Sequence, residues 1–463
     1  MAEEEKRGSF SGKLGFVMAA AASAVGLGNL WRFPYLTSHY GGGMFVLVYI
    51  ILAVTFGFSL MVAEIALGRR TGKSCVSAFG DLCKKYKIIG YFIAIIPALI
   101  VPYYCVIGGW VTKWFAESAI GNLDTLANDG GAYWWNYITG GEGGFLDPSI
   151  WFIIFAGLVI LCVAIGVDRG IEKLSKILMP ALLVMIIGIT IYEMTLPDIW
   201  DGIVYYLNPD VSKLSAGTFL GAISQIFYSM SLAMGIMITY GSYMKKDTNI
   251  ESSARNISII DTVVAILAGL MIVPAAFAIS PDLAGTKSMG LMFASLPQVF
   301  AGMPGGMGNI IAPIFYLLVI FAALTSAVSL LETVVSVFID GAAVKRKVSV
   351  VISSIILLAL GFVTVFGFAN PKIFSPLDHD AGWLGIFDSL TNNFMMPIAA
   401  IVTCLFIGYV VKVSFIDEEI AINGEFKSKK LFDFMIKYVC PVFLASILIV
   451  SICGLFGVTI YAG

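Results

Sequence analysis

Histidine is almost missing from this chain. His39 and His379 are the only two among 463 residues, too few for a metal cluster or a histidine-based catalytic centre. The seven cysteines (Cys75, Cys83, Cys105, Cys162, Cys404, Cys440 and Cys453) are scattered with no C-x-x-C pair. Neither metal-ligand spacing nor a disulfide framework is indicated. Charge is scarce too, at 13% of residues, where a soluble domain carries about 25%. No nucleophile–base motif, metal spacing or phosphate loop is evident. An enzyme, an organic cofactor and a nucleic-acid partner are therefore not expected.

What the chain has instead is apolar length. Hydrophobic residues make up 59% of it, arranged in runs of about twenty residues separated by short polar loops, the pattern of a polytopic helical protein of the lipid bilayer. Eleven spans are predicted, near 13–37, 43–68, 89–117, 149–167, 174–195, 215–242, 254–279, 307–340, 348–369, 383–411 and 432–457. Lysine and arginine collect in alternate loops: Lys6, Arg7 and Lys13; Arg69 to Lys87; Arg169 to Lys176; Lys245 to Arg255; Lys345 to Lys347; Lys412 to Lys430. The opposite loops carry little beyond Lys213, Lys287 and Lys372. The basic side is cytoplasmic, which predicts a multi-pass protein of the cell membrane with its N-terminus cytoplasmic and its C-terminus extracellular. Among the outer loops, Trp134 and Trp135 suit an interfacial belt, and Met289 to Phe300 is an apolar piece too short to span.

One stretch breaks the rule of the apolar runs. Ser23-Ala24-Val25-Gly26-Leu27-Gly28-Asn29-Leu30-Trp31-Arg32-Phe33-Pro34 places two glycines, an asparagine, an arginine and a proline inside the first span. Each weakens a helix or costs free energy in hydrocarbon. The economical reading is a helix broken at mid-membrane, offering bare amides to an anion and bare carbonyls to a cation. Glycines alone would equally serve close helix packing; Asn29 and Arg32 beside them favour function. The sixth span carries a second interruption, from Gln225 to Gly235. Matched breaks five spans apart predict an inverted repeat with the site between its halves. Residues 1–12 then form a cytoplasmic segment, 13–195 the first five-helix repeat, 215–411 the second, and 432–457 an eleventh helix.

Arg32, Glu64, Asp261, Glu332 and Asp388 all fall within spans, so they should face a cavity or one another. Arg32 and Asp388 lie at similar depth toward the outer half. Thr325-Ser326 brings two hydroxyls to the eighth span, for helix packing or for a ligand.

Over its whole length the chain resembles the neurotransmitter:sodium symporter family. The resemblance is carried by Ser23 to Pro34, Gln225 to Tyr243, Ala322 to Ser326, Tyr103-Tyr104 and the Gly170/Pro180 spacing. It implies the all-α leucine-transporter fold, a five-plus-five inverted repeat with broken first and sixth helices, and two sodium sites. The first would use Ala24, Asn29, Ser229 and Asp261; the second Ala22, Val25, Ala322, Thr325 and Ser326. A substrate carboxylate would sit on the Leu27 and Gly28 amides and the Tyr104 hydroxyl, with Gly26 leaving it room. The ammonium would meet carbonyls around Ala24, Tyr228 and Ser231. The pocket wall would be Ile100, Tyr228, Ser229, Ser231, Ala233, Met234, Ser326 and Leu330. Arg32 with Asp388 and Gln225, under Tyr228 and Tyr104, resembles an outer gate; Arg7 with Asp340, near Tyr243 and Phe10, resembles an inner one. In that family an asparagine is common at the position of Asp261, and some members carry a glutamate or serine at that of Ala265. The function expected is sodium-coupled, chloride-independent import of hydrophobic or aromatic L-amino acids by alternating access. An amino-acid-binding receptor or channel is the rival reading.

Overall fold

The computed structural model describes residues 12–128, 130–141, 144–279, 289–369 and 382–455. Among the described residues eight helices are long and apolar enough to cross a membrane: Gly43–Thr71, Lys84–Ala119, Leu146–Ile165, Ile250–Ile279, Gly308–Ala342, Arg346–Phe368, Gly382–Val410 and Lys429–Gly454. The bent pair Lys13–Ala24 and Gly28–His39 makes a further span. Val167–Glu193 and the pair Ala216–Ser229 and Ile236–Ser242 stand at the remaining two of the eleven expected spans. Most ends fall within a few residues of expectation, but the fifth helix starts seven residues before the expected 174 and the third five before 89.

Polarity is arranged for hydrocarbon. Ile177, Val184 and Val442 are exposed on the outside, whereas Asn29, Arg32, Glu64 and Asp261 are buried inside. The broken spans lie at the centre, and the eighth packs along the third over much of its length. Small residues permit the closest approach. A Cβ on Gly68 would lie 1.9 Å from the Ile238 carbonyl, and one on Gly241 2.4 Å from that of Ile65. The second span and the inner half of the sixth therefore touch backbone to backbone.

Both breaks have a local cause. The first span turns by 42° between its halves. Gly28–Arg32 forms a widened turn closed by the Phe33 N–H on the Gly28 carbonyl, next to Pro34, which has no N–H to continue the regular ladder. In the sixth span the chain leaves the helix after Ser229 and re-enters it at Ile236, through positive φ at Ser231 (55°), Ala233 (59°) and Gly235 (80°). Two of these are not glycine, so the turn is strained and needs support. The Glu64 carboxylate gives it, accepting the Ala233 N–H at 2.7 Å.

Other expectations meet a mixed result. The short apolar piece forms the helix Leu291–Ala301, tied down by Trp31 Nε1 on the Met289 carbonyl (2.8 Å) and Trp114 Nε1 on that of Phe293 (3.1 Å). Trp134 does not serve an interfacial belt: it is buried against Trp110 and Phe293, and of the pair only Trp135 is exposed. Its environment is made by that short outer helix, which a local sequence pattern does not show. The Gly170/Pro180 stretch, which the resemblance links to unwinding, is helical here within Val167–Glu193.

Candidate functional site

Between the two breaks lies a tight cavity lined by Ser23, Ala24 and Gly28 of the first span, Ile100 and Tyr104 of the third, Tyr228, Ser231 and Met234 of the sixth, and Ser326 and Leu330 of the eighth. Its volume is about 20 Å³, room for about one water, so a larger guest must displace side chains. Met234 is the wall best able to move, being unbranched and flexible. One end is polar and faces the opened backbone. Tyr104 reaches it, its hydroxyl accepting the Leu27 N–H at 3.0 Å. A Cβ on Gly26 would fall 2.5 Å from that hydroxyl and 2.3 Å from Ser326 Oγ, so only glycine leaves this corner open.

Of the substrate residues named from sequence, Ala24, Gly28, Ile100, Tyr104, Tyr228, Ser231, Met234, Ser326 and Leu330 meet at the cavity. Gly26 stands behind Tyr104 and Ser326. Three others do not line it. Leu27 is fully buried, Ser229 turns to Asp261, and Ala233 is held away by Glu64. Ser23 lines the cavity and was not expected to.

Beside the cavity an oxygen-rich cluster surrounds Asp261. Its carboxylate accepts the Ser229 hydroxyl (2.8 and 2.9 Å), the Tyr49 hydroxyl (3.3 Å) and the Asn29 side-chain NH2 (2.8 Å). Asn29 thus presents its nitrogen here, while its oxygen accepts the Gly26 N–H at 3.0 Å. The carboxylate neighbour explains that choice, since an NH2 group donates and a carboxylate only accepts. Tyr49 was missed from sequence, an aromatic in an apolar helix giving no sign of its distant partner.

A second cluster joins the inner half of the first span to the eighth. Thr325 Oγ1 lies 2.8 Å from the Ala22 carbonyl and 2.9 Å from that of Ala322. Ser326 Oγ lies 3.4 Å from the Val25 carbonyl and 3.2 Å from that of Ala322. All five groups named for a second cation converge, and all are oxygens, the ligand type a hard cation takes.

Above the cavity, Arg32 donates from Nε and Nη2 to the two Asp388 oxygens at 3.3 Å each, and from Nη1 to Gln225 at 3.2 Å. Its guanidinium lies 5.2 Å from the centre of the Tyr228 ring, which stacks on both Tyr103 and Tyr104. Gln225 in turn donates to the Gly28 carbonyl at 2.8 Å, linking this pair to the first break. On the inner side, the Asp340 carboxylate accepts the Ser74 N–H at 2.8 Å and Tyr243 ends the inner half-helix of the sixth span. Arg7 and Phe10 lie outside the described residues.

Comparison with known proteins gives a consistent picture. The profile described as "Sodium:neurotransmitter symporter family" matches residues 7–137 and 142–461. An uncharacterized sodium-dependent transporter of Haemophilus influenzae is 30% identical over 475 residues, 98% of this chain and 99% of the relative. Another from Bacillus subtilis is 31% identical over 447 residues, 95% and 96% of the two chains. The crystal structure of MhsT in complex with L-phenylalanine superimposes with a TM-score of 0.89 at 33% identity, covering 96% of this chain and 100% of that one. The architecture is therefore the leucine-transporter fold.

Proposed function

Since this chain belongs to the sodium:neurotransmitter symporter family, a family of secondary transporters rather than enzymes, we propose that it imports hydrophobic or aromatic L-amino acids with sodium by alternating access. The observation that carries the reading is the meeting of two opened helices at one cavity flanked by two oxygen clusters. Two sodium ions would bind there. The first would lie among Ala24, Asn29, Ser229 and Asp261, with the Asn29 amide turned over. The second would lie among Ala22, Val25, Ala322, Thr325 and Ser326. The substrate carboxylate would take the amides near Gly28 and the Tyr104 hydroxyl, next to the first ion. Ion and substrate would then raise each other's affinity, which is how a sodium gradient does work on the amino acid.

The pocket wall supports the substrate class. Ile100, Met234 and Leu330 are apolar, and among the described residues no charged side chain lines the cavity to meet Asp or Lys. Residues 13–195 and 215–411 would be the two inverted repeats, with the N-terminus on the cytoplasmic side of the cell membrane. Asp261 would stand in for chloride, because the Ser229 and Tyr49 hydroxyls would still hold its carboxylate beside the first ion once the Asn29 amide has turned. Arg32 with Asp388 would close the outer path, and Arg7 with Asp340 the inner. The test is uptake of labelled leucine and phenylalanine into proteoliposomes with and without a sodium gradient, set beside binding to solubilised protein. Gradient-driven accumulation supports import. Sodium-dependent binding without accumulation would make the protein a receptor instead.

A further inference from the structure

Ser23 of the first span, Ser231 of the sixth and Ser326 of the eighth line the cavity, and a fourth buried serine, Ser329 of the eighth, stands behind Ser23. A hydroxyl has one proton to give and two lone pairs to receive, so each proton can be followed to its acceptor. Ser231 Oγ donates to the Ser23 carbonyl at 3.3 Å. Ser326 Oγ donates toward the Ala322 carbonyl at 3.2 Å or the Val25 carbonyl at 3.4 Å. Ser329 Oγ lies 2.8 Å from the Ser326 carbonyl and 2.6 Å from Ser23 Oγ.

The last pair can be arranged in two ways. If Ser329 gives its proton to Ser23, the Ser326 carbonyl loses that donor, and the Ser23 proton finds no other acceptor among the described residues. If Ser329 donates to the Ser326 carbonyl, Ser23 donates to Ser329 and both protons are used. In a buried site the arrangement without an unmade bond wins. Ser23, a lining residue of the cavity, therefore has its proton engaged and only lone pairs left to offer a ligand.

We infer that Ser23, held in this sense by Ser329, makes the cavity wall a hydrogen-bond acceptor and selects L-amino acids whose side chain carries a donor. The indole of tryptophan is such a side chain and the phenol of tyrosine another; phenylalanine offers none. This rests on the reading that the cavity receives an amino acid. An incoming N–H would extend the chain from ligand to Ser23 to Ser329 to the Ser326 carbonyl. A phenyl ring would leave the Ser23 lone pairs dry, though its proton stays bonded, so the preference is one hydrogen bond in size, about tenfold.

The experiment is calorimetric binding of L-tryptophan and L-phenylalanine to the purified protein at saturating sodium, read as the ratio of the two affinities. The wild type should favour tryptophan about tenfold, and Ser23→Ala should bring the ratio toward one. Ser329→Ala is the sharper variant, because Ser329 does not line the cavity. Losing it frees the Ser23 proton, so Ser23 can donate as well as accept and is no longer held as an acceptor; the ratio should fall there too, but less than in Ser23→Ala. Equal affinities in the wild type, or a ratio that survives both substitutions, would overturn the inference while leaving import intact. Failure of either amino acid to bind with sodium would overturn the import reading and the inference together.

Discussion

Arg32 and Asp388 meet fork to fork above the cavity, with both contacts at 3.3 Å. The arginine side chain is 3% exposed and the aspartate 18%, so the pair stands at the edge of water rather than wholly out of it. Such a pair can open at moderate cost, whereas a fully dry one is expensive to separate. Asp388→Asn leaves the guanidinium buried without its counter-ion, a loss of about 3 kcal/mol. Uptake should fall to background and the melting temperature should drop. Arg32→Lys keeps the charge but not the two-pronged geometry, so it should retain partial uptake, measured in the same proteoliposomes.

On the import reading, recognition of the carboxylate would depend on the space that Gly26 leaves. An added methyl would lie 2.3 Å from Ser326 Oγ and 2.5 Å from the Tyr104 hydroxyl, so one of those side chains would have to leave the cavity. Gly26→Ala should lower amino-acid affinity by more than tenfold while the protein still elutes as a folded species on gel filtration. On the import reading, the wild type would take its carboxylate from the ligand. Tyramine and tryptamine should therefore fail to displace labelled amino acid; displacement as strong as by tyrosine or tryptophan would refute this.

How much of this could be read from the residues alone depends on the range of the signal. The two breaks were legible because glycine and polar side chains inside apolar runs are local departures from a rule. The depth of Glu64, Asp261 and Asp388 was legible for the same reason, as was the pairing of Arg32 with Asp388, and the resemblance put Asn29 and Ser229 beside Asp261; other partners were not legible. Nothing near Tyr49 says that its hydroxyl meets Asp261, and nothing near Tyr103 says that it reaches Asp388 at 3.4 Å. Glu64 was seen as costly, yet its target is a single N–H in a turn whose positive φ angles no sequence pattern announced. The orientation of Asn29 and the inward face of Ser23 are likewise set by distant chain. The resemblance supplied the positions; only the packed structure supplied the direction of each bond.

The Thr325 hydroxyl spans two carbonyls on different helices, Ala22 and Ala322. Thr325→Val keeps the shape of the side chain and removes that oxygen. Sodium affinity should weaken by about tenfold, the loss of one good ligand, and half-saturating sodium for uptake should rise accordingly. Substrate affinity measured at saturating sodium should change little. An unchanged sodium dependence would remove Thr325 from the cation site.

Glu64 supports the opened sixth span through the Ala233 N–H. Glu64→Ala would leave that N–H unsatisfied in a dry site, at a cost of about 1–3 kcal/mol, and would free a turn containing two strained non-glycine residues. Both thermal stability and substrate binding should suffer. Glu64→Gln retains an acceptor oxygen and should recover most of the stability, a difference read by thermal unfolding of the purified protein.

Asp261 tests the charge balance of the site. One sodium ion beside the substrate is matched by the substrate carboxylate; a further negative group lets the second ion enter without building up positive charge in a low-dielectric interior. Ala265, one helical turn along the same face, has neither charge nor hydroxyl to hold an anion. On the import reading the Asp261 carboxylate, with donors from the Ser229 and Tyr49 hydroxyls, would take those donors away from any mobile anion. Uptake by the wild type should therefore be the same in gluconate as in chloride. Asp261→Asn removes the fixed charge but keeps the size, so sodium affinity should fall by about tenfold or more. The two hydroxyl donors, Ser229 and Tyr49, would then face a neutral amide, and external chloride should restore part of the lost sodium affinity in this variant alone. Loss of wild-type uptake in gluconate, or an Asp261→Asn protein with unaltered sodium dependence, would show that the compensating charge comes from elsewhere.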